Sequence, residues 1–260
     1  MQRNVIAILF SLVSLMFTSC QKLVFSNGEP ITEERSVDER FTVVSMFNNV
    51  NVKLVQSQHP RLELTCPKNL IEKVTTEVKG DTLVVRNEND FNWIRSYDYS
   101  IDLTVYYDSL RSVNFYSIGT LQSLDSLRGM SQQSIDSTES GIDTVMIRGF
   151  ILRVLEGSGD IDLTLSCNVL KAVFSNGTSK VTLHGYAGYA EHYLRSYGTI
   201  HAEDMYSNIV KVTSNSTNDA YVWAHSSLFA YLSNIGNVYY RGYPWIAESY
   251  TGDGRVIKLE

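Results

Sequence analysis

Proline is scarce in this 260-residue chain, with four residues, and cysteine is scarcer, with three. So few prolines leave long stretches able to donate every backbone N–H, as a hydrogen-bonded sheet requires. Three cysteines make no disulfide-stapled scaffold. There is no Cys-x-x-Cys and no Cys/His spacing suited to zinc, so neither a metal site nor a cofactor is expected. Cys66 and Cys167 lie in strand-like segments, and small buried thiols account for them better than a bridge. Positive charge is also short: 22 Lys and Arg against 28 Asp and Glu give a net charge of −6. That argues against nucleic acid and against electrostatic attachment to anionic lipid, since both need basic patches. Beyond the first twenty residues nothing approaches the ~18 consecutive apolar residues of a membrane-spanning helix.

The first twenty residues read as a targeting segment. Arg3 precedes an apolar run, Val5 to Phe17, that ends in "FTSC" with Cys20. This resembles a bacterial lipobox, in which the cysteine becomes lipidated and N-terminal. Phe17 replaces the usual aliphatic residue, and a plain secretory signal is the alternative. The expected anchor is therefore a lipid on Cys20 in the outer membrane, with the side of the membrane left open. Residues 21–40 follow as a flexible tether, polar from Ser26 to Arg40.

Val, Tyr, Ser and Thr are plentiful, and they suit pleated, half-buried surfaces. They also repeat. The five-residue pattern of "GDIDL" (Gly159–Leu163) recurs from residues 119, 140, 159, 179, 198, 218, 236 and 254. Its third position is aliphatic each time: Leu121, Ile142, Ile161, Val181, Ile200, Ala220, Val238 and Val256. Period-2 alternation after a turn residue, returning every ~20 residues, predicts stacked rungs. The expected fold is all-β, a parallel β-helix-like solenoid over residues 41–260. Asp160 and Asp162 then point outward from a Gly157/Gly159 corner, as neither a phosphate loop nor a calcium repeat. The N-terminal half is less regular: Val50 takes the column position there. Pro67–Val78, with Leu70, Ile71, Val74 and Val78 at helical spacing, predicts one short helix.

The lipobox, the Asn-rich corner, "NLIEKV", "GDTLVV", the serine/glycine corners and "YRGYP" occur in an order that resembles the auto-transporter adhesin head GIN domain family. The resemblance covers Phe41 to Glu260. It implies a β-helix-like solenoid at the envelope of Gram-negative bacteria, and it carries over no catalytic residue.

Outward positions of the repeat become aromatic toward the C-terminus. His201, Tyr221 and Tyr239 share the fourth position in successive copies, with Trp245 nearby in sequence. Together they form a candidate ligand face able to stack on sugar rings. The plainer account is that tyrosine covers sheet surfaces. Three classes remain open: a non-catalytic adhesion module for carbohydrate or a cell-surface protein, a polysaccharide-active β-helix enzyme, and a structural envelope protein. Scattered histidines and a thinning of outward acids after Asp162 place the enzyme second. Two Asp-Ser-Leu triplets, Asp108–Leu110 and Asp125–Leu127, resemble bacterial O-glycosylation acceptors, though such short patterns also arise by chance.

Overall fold

The computed structural model describes residues 27–89, 99–138, 141–195 and 197–260. The expected signal segment, Cys20 and the first residues of the tether lie outside them. Among the described residues the chain is all-β, with no α-helix. Eighteen strands join in one hydrogen-bonded sheet that curls around a single apolar core.

The regular part is a parallel stack. Strands β2 (Val43–Asn48) and β3 (Asn51–Gln56) meet at a sharp corner and form two arms. β8 (Ser112–Ser117) lies on β2, and β9 (Leu121–Ser123) lies on β3. Four long strands follow: β12 (Ile161–Phe174), β13 (Lys180–Leu194), β14 (Thr199–Ser214) and β15 (Ala220–Leu232). Each runs along one arm and bends into the other. β16 (Val238–Arg241), β17 (Trp245–Tyr250) and β18 (Val256–Lys258) complete the stack.

The aliphatic column is real. Val52, Leu121, Ile161, Val181, Ile200, Ala220, Val238 and Val256 are successive register partners. All but the terminal, partly buried Val256 are sealed in the core. Alternation fixes this arrangement, because a slip of one residue would turn every apolar side chain toward water. Asp160 and Asp162 are exposed, as expected. The corner glycines are needed for close approach. A Cβ on Gly159 would overlap the Gly119 carbonyl one rung below, and Gly157 takes φ +118° directly over Ser117.

Four expectations are corrected. Ile142 is not in the column. It belongs to a hairpin formed by β10 (Met130–Thr138) and β11 (Gly141–Val154), where its register partner is Ser137 of the antiparallel strand. Leu121 stacks directly under Ile161, so one 20-residue period is spent on an excursion. Val52, not Val50, is the column member in β3, although Val50 is also buried. The expected helix is absent. β4 (Arg61–Pro67) is followed by the single 3-10 turn Ile71–Lys73 and then by β5 (Val74–Lys79). One turn suffices to bury Leu70, Ile71 and Val74, after which the β-branched run pairs antiparallel with β6 (Thr82–Asn87). Finally, Pro30–Ser36 of the expected tether is strand β1, paired antiparallel with β4. Its polar composition suits an edge strand, whose outer face meets water.

These departures share a location. β6 and β7 (Asp102–Tyr107) lie beneath β2 and β3, and the antiparallel strands β5 and β4–β1 cover that end. The rungs there need a terminus that shields their edges, so the chain abandons the repeat.

One core residue is unexpected. On the second arm, Val44, Val113, Leu152, Ala172, His192, Val212 and Ala230 form an inward column. His192 is fully buried, and neither ring nitrogen has a hydrogen-bond partner. Burial pushes its pKa down to about 4, and the Glu191 charge only partly opposes this. The folded state thus binds the proton less well than the unfolded chain. Stability is complete above pH 6.5 and falls as pH drops from 6.5 through 4, by on the order of 3 kcal/mol. His192→Leu should flatten this part of the stability–pH curve in thermal melts, while an unchanged slope would contradict the burial argument.

Candidate functional site

Outward positions on the first arm are released from packing and stack in register. Gln122, Asp162, Thr182, His201, Tyr221, Tyr239 and Ile257 are successive partners. The His201 and Tyr221 rings stack with centroids 4.8 Å apart, and those of Tyr221 and Tyr239 stack at 5.1 Å. Parallel strands impose this spacing. It has a consequence that the sequence did not suggest. The ring faces are occupied by one another, so a partner meets ring edges and phenol hydroxyls rather than open faces. Burial first, then the nearby Asp219, Tyr239 and Glu203, raise the Tyr221 pKa, so its hydroxyl keeps its proton as a donor.

Polar groups flank the row. His201 Nδ1 lies 3.2 Å from Glu203 Oε1. Arg241 Nη1 donates to Asp204 Oδ1 at 2.8 Å and to the Glu203 carbonyl at 3.2 Å. Beside Tyr221 on the same strand, Trp223 meets Tyr206 edge-on at 5.4 Å, and Tyr206 stacks on Tyr186 at 6.0 Å. Tyr206 and Tyr186 were missed in the sequence because the repeat pattern covers only five residues per rung. In addition, β14 carries a register shift between Ala202 and Tyr206 that brings Tyr206 opposite Trp223. Trp245 does not join the row. It lies on the second arm opposite Ser227, 63% exposed, with its ring edge-on to Phe229 at 5.8 Å.

The second arm carries a charged row, with Glu191 between Lys171 at 3.5 Å and Lys211 at 3.0 Å. Although burial alone would raise the Glu191 pKa, the two ammonium groups hold it below the usual carboxylate value. Among the described residues, no group of three or more His, Cys, Asp or Glu side chains is arranged to hold a metal ion. Cys66 and Cys167 are free and buried. Burial pushes their thiols up to about 11 and about 12, so neither supplies a thiolate nucleophile near neutral pH.

The fold and its ordered outward rows define an all-β module of stacked strands. The chain belongs to the family described as "Putative auto-transporter adhesin, head GIN domain", whose pattern matches residues 40–244. Three solved structures share the fold. A "putative adhesin" from Bacteroides fragilis NCTC 9343 is 21% identical, covers 90% of this chain and 100% of its own, and has a TM-score of 0.74. A "putative lipid binding protein" from Parabacteroides distasonis ATCC 8503 is 18% identical, with 91% and 99% covered and a TM-score of 0.63. A "putative adhesin" from the same organism is 18% identical, with 90% and 99% covered and a TM-score of 0.59. No curated protein matches the chain.

Both buried thiols should resist Ellman's reagent at pH 8 in the folded protein and react only on unfolding. Rapid labelling of either in the native state would show that the rungs around it open readily.

Proposed function

We propose that this protein is a non-catalytic binding module of the bacterial cell envelope. It is held at the outer membrane by a lipid on Cys20 and built as a parallel β-solenoid. Its ligand face is the row His201, Tyr221 and Tyr239, and its partner is a carbohydrate chain or a cell-surface protein. Trp245 offers a separate contact on the other arm. The observation that carries the reading is the stacked row itself: three rings at about one strand spacing, with hydroxyls along the rim and Glu203 and Arg241 beside them. A row already fixed by stacking loses little side-chain freedom when a partner binds, so each contact retains more of its free energy. An extended partner laid along the stack meets the same chemistry at each rung. The adhesin description of the family supports this reading. For a lipid partner the support is weaker, because core side chains pack the space between the arms.

The double substitution Tyr221→Ser, Tyr239→Ser tests the site. We expect a folded protein whose adhesion to glycan-coated or cell surfaces falls about tenfold or more, roughly 1.4 kcal/mol per factor of ten. If the variant melts at a lower temperature yet adheres equally well per folded molecule, the row serves packing alone and the reading fails.

A further inference from the structure

We infer that a second site, for a single hydroxyl-rich sugar residue, lies in the cleft between the two Asp-Ser-Leu corners at the irregular end of the stack. The two triplets lie 17 residues apart in sequence and meet here. Leu110 and Leu127 are buried anchors, and Asp108 and Asp125 both line one cleft of about 430 Å³ with Gln56, Ser57, Ser126 and Arg128. That volume is ample for one small molecule. A neighbouring cavity of about 310 Å³ shares Asp108 and Gln58, so the space extends toward Arg40 and Phe41.

The polar groups of this cleft are incompletely matched. Asp125 is oriented by one oxygen, Oδ2, which accepts the Gln56 backbone N–H at 2.7 Å. Its other oxygen is buried and has no hydrogen-bond partner. Tyr107, 2% exposed, ends the strand that leads into Asp108 and belongs to the core rather than to the cleft lining; its hydroxyl is also buried without a partner. Burial, and after it the Asp125 charge, keeps that phenol protonated and available as a donor. Buried polar groups are nearly always paired, so the unmatched Asp125 oxygen in the wall of the cleft calls for a donor from a bound group.

The lining selects the class of ligand. Two carboxylates require donors and repel anions. Arg128 requires an acceptor and repels cations, and two carboxylates alone make a poor metal site. A hydroxyl donates to a carboxylate and accepts from a guanidinium at once, and a sugar supplies several at fixed spacing. The proposal does not depend on the aromatic row.

Saturation-transfer NMR on the full chain tests it, with glucose, galactose and N-acetylglucosamine at millimolar concentration and glucuronate as the anionic control. At least one neutral sugar should give a signal and glucuronate none. The signal should weaken about tenfold in Asp108→Asn and in Asp125→Asn, and persist in the Tyr221→Ser, Tyr239→Ser variant. Asp108→Asn is decisive if Asp125→Asn perturbs folding, because the Asp108 carboxylate bonds no other described residue. Loss of signal only in the double tyrosine variant would assign sugar binding to the row and overturn the second site. It is equally overturned if none of the neutral sugars binds, if Asp108→Asn binds like the parent, or if ordered water alone fills the cleft at high resolution.

Discussion

Everything in this structure depends on one constraint, the register between parallel strands. Each inward residue rests on its counterpart one rung below, at the spacing set by backbone hydrogen bonds. A single rung cannot bury its own apolar face, so stability accumulates only as columns grow. The same register forbids side chains where corners cross, which is why Gly159 sits against the Gly119 carbonyl. Inward positions are therefore restricted in size and polarity, and His192 is the conspicuous exception among aliphatic neighbours.

Outward positions escape that restriction but inherit the order. Identical spacing turns separate residues into rows: carboxylate, threonine, histidine and tyrosine along one arm, and lysine, glutamate and lysine along the other. A surface of this kind presents linear arrays rather than a deep pocket, which suits an extended partner. The cleft differs in kind, because it lies between the segments that leave the ends of β3, β7 and β9.

What was legible in the sequence follows from this division. Alternation and the ~20-residue step exposed the core column from Ile161 to Val256 and the row from His201 to Tyr239, because both are direct images of the register. Periodicity alone does not distinguish a rung from a hairpin of equal length, which is why the pattern puts Ile142 in the column. The helical spacing of Leu70, Ile71 and Val74 was satisfied by one 3-10 turn, since pairing with β6 outweighed local preference. Pro30–Ser36 looked like a tether because an edge strand needs no apolar alternation. Stacking of the rings on each other, and the meeting of Asp108 with Asp125, depend on geometry between rungs that no linear pattern displays. Nothing among the described residues bears on Cys20.

The central claim is that Leu121 and Ile161 are direct neighbours despite lying 40 residues apart, with the intervening period looped out. Paired cysteines test it most directly, because bridging requires Cα atoms within roughly 4.4–6.8 Å. Gln122 and Asp162 are outward register partners, whereas Asp143 pairs with Asp136 in the hairpin. Mild oxidation should crosslink the variant Gln122→Cys, Asp162→Cys rapidly and leave Asp143→Cys, Asp162→Cys reduced. Crosslinking in the second variant but not the first would contradict the stack described here.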